Sequence, residues 1–216
     1  MNDSMEFFER DITDHELEVI VDSGVNRILE FRNKSGSSNQ FFIVMQARGR
    51  ICFTGDMGDF VFTNHNADML AWFHDNMSLS YIDEKCRAGI TKEFNEDSAK
   101  ESIKMMVDDF CRDCIYDYAD SGCDDADDDN HEVALASWQQ SLYDEVISEL
   151  DFESEETFHR SAYDLSIRVD DSMKFEIDVC DGIDCMKYTH WFKWCVLAMN
   201  KVAELYFSMD KENGCE

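Results

Sequence analysis

The chain contains no proline, so glycine, asparagine, aspartate and serine must make its turns. Basic residues are also scarce, because 19 lysines and arginines face 48 acidic residues and leave a net charge of −29. No apolar run approaches the roughly 20 residues that span a bilayer. The N-terminal segment has neither the basic nor the apolar part of a signal peptide. We therefore expect a cytoplasmic protein without membrane contact, whose nine cysteines stay reduced.

The residues that are abundant predict a folded protein rather than a disordered acidic tail. Hydrophobic residues make up 44% of the 216 positions, with 16 phenylalanines, seven tyrosines and four tryptophans. A chain of this length buries roughly 70% of its unfolded surface. Solubility alone needs a net charge of only about 2 to 8 for a small domain, so the acidic excess calls for another explanation.

The negative charge is concentrated in the second half of the sequence. Residues 1–100 hold 18 acidic and 10 basic side chains, whereas residues 101–216 hold 30 and nine. Within residues 101–150 the imbalance is 15 to two. An electrostatic function is therefore expected in the second half, and the absence of a basic patch argues against direct binding of nucleic acid.

Apolar runs separated by turn residues predict an antiparallel β-meander of three or four strands near the N-terminus. Its strands are predicted at residues 27–32, 40–47, 51–54 and 60–63. Before them, residues 3–22 are expected to form a helix, because Leu17, Ile20 and Val21 follow amphipathic spacing.

The remainder of the chain has mostly helical patterns. Helices are predicted at residues 68–76, 95–120, 131–150, 153–161 and 188–209. Residues 121–130 read as an acidic loop, and 168–180 as a strand or an irregular segment. We predict one α+β domain over residues 1–216. The meander and its flanking helices occupy 1–80 and pack against a mainly helical, acidic region at 81–216.

Carboxylates recur at three- and four-residue spacing along the predicted helix at 95–120, so they share one face. Successive helical turns rise about 5.4 Å, so one carboxylate per turn can imitate a row of phosphates. Almost no lysine or arginine relieves the repulsion among them. The alternative interpretation is a solvated helix face followed by an acidic loop. The candidate partner-binding residues are Asp108, Asp109, Asp113, Asp117, Asp120, Asp124, Asp125, Asp127, Asp128 and Asp129.

Two segments carry a resemblance to known proteins. Residues 25–75 include Gly55-Asp56-Met57-Gly58, and residues 188–207 form an aromatic segment. The first segment also carries Val61, Phe62, Asp68 and Met69, and the second Phe192, Trp194, Cys195 and Ala198. Together they resemble a family of uncharacterised phage and prophage proteins. The resemblance implies a phage or mobile-element origin and an α+β fold, but no reaction.

Metal binding and catalysis are weaker alternatives. Cys111 and Cys114 have the spacing of zinc ligands, and Cys180 and Cys185 offer a second, less regular pair. The other candidate zinc ligands are Cys123 and His131. An EF-hand beginning at Asp125 is excluded, because its twelfth position is Ala136.

No nucleotide-binding or nucleophile motif occurs, and the six histidines are scattered. Asp56 and Asp59 flank turn glycines, where turn chemistry explains them better than a carboxylate site. We therefore predict a protein that is not an enzyme and needs no cofactor.

Charge and resemblance together predict a phage-encoded inhibitor of a host defence complex, such as a CRISPR effector or a restriction enzyme. As an acidic mimic of nucleic acid, it would bind the basic nucleic-acid channel of that complex, with attraction between opposite charges speeding association. The alternative is an interaction protein that binds a host regulator, or a second copy of itself, through apolar surface.

Overall fold

The computed structural model describes residues 2–75, 77–120, 128–169, 173–177 and 183–213. It confirms an α+β fold that begins with an antiparallel sheet and continues mainly with helices. The chain divides into two compact units. The first, here the sheet unit, comprises residues 1–93 and 188–216, and the second, the acidic unit, comprises residues 94–187.

The sheet unit contains an antiparallel sheet of six strands, which lie in chain order. The strands are β1 (His15–Ser23), β2 (Asn26–Asn33), β3 (Phe42–Ala47), β4 (Arg50–Gly55), β5 (Gly58–Thr63) and β6 (Cys86–Ala88). The helices are α1 (Asn2–Asp11), α2 (Met69–His74), α3 (Leu79–Lys85) and α7 (His190–Asn213). A separate two-stranded sheet pairs β7 (Lys92–Phe94) with β10 (Met186–Tyr188).

The predicted helix over residues 3–22 is correct only in its first half. Helix α1 ends at Asp11, and the chain turns at Thr13 before entering the edge strand β1. The ladder between β1 and β2 shifts register between Val19 and Val21, which marks Ile20 as the residue of a bulge. The bulge disrupts the alternation of apolar residues that normally reveals a strand. The predicted count of three or four strands therefore missed β1, and it also missed the three-residue strand β6.

One face of the large sheet forms the core of the sheet unit, and helices α2 and α7 contribute to that core. The final helix, predicted at residues 188–209, has six fully buried residues in this core. They are Phe192, Cys195, Ala198, Met199, Val202 and Ala203. The aromatic residues of the sheet pack as a continuous group, in which Phe42 stacks on Phe53 and meets Trp194 edge-on.

A polar network in this core is centred on Arg27, which is only 8% exposed. Its guanidinium donates hydrogen bonds to Asp68 Oδ1 at 2.7 Å and to Tyr206 Oη at 3.0 Å. The Tyr206 hydroxyl donates to Asp22 at 2.6 Å. The Asp68 carboxylate also accepts from Gln46 and from backbone N–H groups at the start of α2, which it caps. The network therefore connects α2 and α7 to the sheet.

The Gly55–Gly58 element forms the tight turn between β4 and β5. A Cβ atom at Gly55 would collide with the backbone of Phe41 and Phe42, and Gly58 has a φ of +96°. Asp56 accepts a hydrogen bond from the Gln40 N–H group at 2.9 Å, and Asp59 accepts one from the Thr54 hydroxyl. Both carboxylates are thus held by local turn and strand contacts.

The described part of the acidic unit contains three helices and a short hairpin. Its helices are α4 (Glu96–Asp120), α5 (Asp128–Glu149) and α6 (Glu155–Asp164), and its hairpin strands are β8 (Ser166–Arg168) and β9 (Lys174–Glu176). Phe158 and Ala162 of α6 are fully buried in its core. They lie with Ile103 and Val107 of α4 and Val146 of α5. The helices were predicted correctly within a few residues. Among the described residues, no helix is long and apolar enough to cross a bilayer.

Candidate functional site

The division into two units sharpens the charge asymmetry of the sequence. The acidic unit holds 28 acidic and seven basic residues, a net charge of −21. The sheet unit is larger, yet its 20 acidic and 12 basic residues give only −8. Most of the charge therefore belongs to a separate compact body of 94 residues with its own hydrophobic core.

Helix α4 separates its apolar and acidic residues onto different faces. Ala99, Ile103, Val107 and Cys111 are fully buried. Acidic side chains recur at every fourth position on the exposed face, and an exposed methionine occupies the central position of this series. This series, here the α4 stripe, consists of Asp97, Glu101, Met105, Asp109 and Asp113.

Three of the predicted partner-binding carboxylates can be described in full, and two of them are exposed. Asp109 and Asp113 belong to the α4 stripe, whereas Asp108 is half-buried. Arg112 lies beside them and donates a hydrogen bond to Asp109 at 2.8 Å. Helix α4 also carries Lys100, which pairs with Glu96, and Lys104, so basic residues relieve the repulsion on this helix at more than one position.

The other predicted site residues lie at or beyond the ends of two helices. The backbone places Asp117 and Asp120 in the last turn of α4, and Asp124, Asp125 and Asp127 lie outside the described residues. Asp128 and Asp129 begin α5, so the prediction of a loop extending to residue 130 was wrong. Acidic residues are favourable in the first turn of a helix, which explains why α5 starts within the acidic run.

A second acidic surface, which the sequence analysis did not single out, runs from the end of α5 to the start of α6. Residues 144–156 contain seven acidic residues and no basic one, and all seven acidic side chains are exposed. These residues, here the α5–α6 segment, are Asp144, Glu145, Glu149, Asp151, Glu153, Glu155 and Glu156. Counting charge in a sliding window would have found this segment, because it needs no information about folding.

Some of these acidic residues oppose helix stability, whereas Asp97, Glu155 and Glu156 lie in first helical turns, where a negative charge is favourable. The last turns of α4 and α5 contain no basic residue, and α5 ends at Glu149. A helix C-terminus carries a partial negative charge, so each carboxylate there typically costs about 0.3 to 1 kcal/mol. Acidic residues four apart, such as Asp109 and Asp113, also repel each other by a few tenths of a kcal/mol.

Ion pairs within the acidic unit offset only a small part of its charge. Among the described residues of this unit, four of its seven basic side chains pair with carboxylates of the same unit. The pairs are Lys100–Glu96, Arg112–Asp109, Arg160–Glu156 and Lys174–Glu176. A large excess of carboxylates is thus left to face solvent or a partner.

The cysteines do not form a metal-binding site in the described part of the chain. Cys111 is fully buried in the core, where burial and the neighbouring Cys114 raise its pKa to about 11. The fold brings Cys185 Sγ to 3.7 Å from His159 Nε2, a pairing that no sequence motif announced. Burial also raises the pKa of the Cys185 thiol. Among the described residues, no three histidine, cysteine or acidic side chains form a metal-binding group.

Comparisons with protein-family models, curated proteins and solved structures found no match.

Proposed function

We propose that the acidic unit is a binding surface for a basic protein that itself handles nucleic acid. In its specific form, the proposal is that a phage or other mobile element encodes this chain as an inhibitor of a host defence complex. The observation that carries it is the −21 charge of one 94-residue unit, whose acidic residues include two exposed sets on helices and their junctions.

The positions of the carboxylates support a binding role better than a stabilising one. Charges at helix C-termini and in like-charged pairs lower stability, as described above. Solubility requires far less charge than −21. A basic partner would turn this repulsion into attraction, and its binding would release counterions from the acidic surface, as binding to nucleic acid does.

The α4 stripe also supplies a contact other than charge. Met105 is 57% exposed at its centre, with Glu101 and Asp109 one helical turn away on either side. Methionine packs adaptably against irregular apolar surface. Electrostatic complementarity contributes more to specificity and association rate than to affinity, so an apolar contact within the acidic surface supports tight binding.

The direct test is competition with DNA for a purified candidate complex, a CRISPR effector or a restriction enzyme. The protein should displace labelled DNA, and the concentration needed for half displacement should rise with the DNA concentration. The logarithm of its binding constant should fall linearly with the logarithm of salt concentration. Binding that does not depend on salt concentration, or inhibition that does not depend on DNA concentration, would contradict mimicry.

A matched pair of variants separates surface charge from total charge. Neutralising Asp109, Asp113, Glu149 and Glu153 to their amides should weaken binding at least tenfold, or about 1.4 kcal/mol, and flatten the salt dependence. The control makes the same type of change at Glu6 and Glu9, exposed on helix α1 of the sheet unit. It should leave binding within about twofold, a difference near 0.4 kcal/mol. Equal losses per neutralised charge in both variants would show that only total charge matters.

A second candidate function is association through apolar surface. The observation that favours it is the row of partly exposed apolar side chains on the outer face of the large sheet in the sheet unit. This surface lies in the less acidic unit and makes no use of the carboxylates proposed above.

A further inference from the structure

One face of the six-stranded sheet carries a continuous row of apolar side chains on the side opposite the core. The strand register places Val21 opposite Ile28, Ile28 opposite Met45, Met45 opposite Cys52, and Cys52 opposite Val61. We call these five residues the outer row. The row lines an open groove of about 440 Å³.

The outer row keeps much of its surface exposed. Val21 and Met45 are each 41% exposed, whereas their neighbours on the core face, such as Val44 and Ile51, are 1% exposed. A row of this kind on five adjacent strands is larger than the scattered apolar residues usual on a protein surface.

Opposite charges flank the outer row on its two sides. On one side of the row, the next residue pair of β3 and β4 on this face is Ala47 and Arg50. Beyond this pair, Arg87 donates a hydrogen bond to Thr63. On the other side the register aligns Glu18 with Glu30, and Thr54 with Asp59. Glu30 is neutralised by Arg32 at 2.8 Å, whereas the hydrogen bond that Asp59 accepts from Thr54 leaves its charge in place. The face therefore has a basic side, an apolar middle and an acidic side.

We propose that a second copy of this chain docks face to face on the outer row, about a two-fold axis that runs along the row. This axis exchanges the two sides of the face, so Arg50 and Arg87 of each copy meet the acidic side of the other, at Asp59. Each member of the outer row faces its own counterpart. The strands of the two sheets run nearly parallel or antiparallel to one another, as in aligned sheet packing.

The other symmetric arrangements are disfavoured by charge. A two-fold axis parallel to the strands would place the acidic sides of the two copies against each other. It would bring Asp59 of one copy toward the partner's Glu18. Pairing of the edge strands β1 would align Glu16, Glu18 and Asp22 with the same residues of the partner, and the bulge at Ile20 further disrupts that edge.

The size of the face predicts a weak dimer. The face covers five strands, spaced about 4.8 Å apart, and three rows of residues across them. The area buried in the dimer would therefore be about 1,000 Å² in total, at the small end for specific complexes. The net charge of −29 on each copy adds long-range repulsion. Because salt screens that repulsion, the dimer should tighten as salt rises, opposite to the proposed binding of a basic partner.

Sedimentation equilibrium of the full chain tests the proposal, with variants chosen on the exposed face so that folding is preserved. The wild type should dimerise reversibly, and more tightly at about 0.5 M than at 0.05 M salt. Met45→Glu should raise the dissociation constant at least tenfold, about 1.4 kcal/mol. The control Ile90→Glu replaces a side chain that is 74% exposed and lies outside the face, and it should leave association unchanged.

Charge exchange and crosslinking test the orientation. Arg50→Asp and Asp59→Arg should each weaken the dimer, and the double variant should recover most of the lost affinity. Sheets pack about 10 Å apart, so a short bismaleimide should join Cys52 to the partner's Cys52, identified by mass spectrometry of the linked peptide. Circular dichroism of each variant tests whether its fold is intact.

Three results would overturn the proposal: a monomer at every concentration and salt, undiminished association of Met45→Glu, or a double variant weaker than both single ones. The dimer uses the sheet unit alone. Met45→Glu should therefore leave DNA competition through the acidic unit intact, so either proposal can fail without the other.

Discussion

The network around Arg27 gives the sharpest prediction of stability, through the substitution Asp68→Asn. Asparagine caps a helix about as well as aspartate, so the cap of α2 is retained while the charge facing Arg27 is lost. Removing one partner of a buried ion pair costs about 3 to 5 kcal/mol. The Asp68 side chain is 26% exposed, and Asp22 remains 3.8 Å from Arg27. We therefore expect a smaller loss, about 2 to 3 kcal/mol.

The dependence on pH follows from the pKa of Asp68. Burial opposes its ionisation, but hydrogen bonds from Arg27 and Gln46 outweigh burial and lower the pKa. An aspartate with a lowered pKa stabilises the folded state fully above its unfolded value, near 3.9, and loses that contribution as pH falls through the folded value. The advantage of the wild type over Asp68→Asn should therefore be constant near neutral pH and shrink below about pH 4.

Urea unfolding followed by tryptophan fluorescence measures this loss in the sheet unit. Trp72, Trp191 and Trp194 belong to that unit, so a Trp138→Phe background removes the signal of the acidic unit. In an Arg27→Met background, Asp68→Asn should cost at least about 1.5 kcal/mol less, which measures the coupling between the two residues. A loss below about 0.5 kcal/mol, or the same loss with and without Arg27, would refute a structural role for the pair.

Two further predictions concern packing and thiol reactivity. Gly55→Ala should destabilise the sheet unit by about 1 to 3 kcal/mol in the same urea assay, because its Cβ meets the backbone of Phe41 and Phe42. Gly36→Ala, where a Cβ meets nothing within 4 Å but φ is +82°, measures the separate cost of a left-handed backbone, about 1 to 2 kcal/mol, and a Gly55→Ala loss near zero would contradict the steric explanation. Cys111 and Cys195 are fully buried, and burial raises both pKa values, so iodoacetamide near pH 8 should label them only after unfolding in urea. Rapid labelling of either thiol in the native protein, detected by mass spectrometry, would show that its surroundings open.

The sequence predicted those parts of the fold whose signals are local. Strands β3 to β5 are apolar runs joined by glycine and aspartate turns, and α7 is apolar on most of its surface. The bulge at Ile20 turned a strand pattern into apparent helical spacing. Strands of three residues, such as β6 and β8, are too short for any periodicity to appear. Their positions depend on tertiary pairing.

The amount of negative charge in the candidate site was predictable from the sequence, but the spatial arrangement of its side chains was not. Composition alone located the acidic half, and helical spacing located Asp109 and Asp113. The pairing of Arg112 with Asp109 depends on the side-chain conformations chosen on α4. The approach of His159 to Cys185 joins residues 26 positions apart, for which no local signal exists. The limits of the acidic unit were also not predictable, because the sheet unit is made of two distant segments, residues 1–93 and 188–216, that come together only in the fold.

The two proposed surfaces should influence each other although they lie in different units. A basic partner on the acidic unit would neutralise part of the −21 charge, and so reduce the repulsion between two copies that dimerise through their sheet units. Coupling between binding events is reciprocal, so dimerisation should strengthen partner binding by the same factor. Polylysine, as a basic probe, should therefore lower the dimer dissociation constant at low salt and lose this effect at high salt. Met45→Glu would bind polylysine without dimerising, which distinguishes true coupling from bridging of two copies by one polycation.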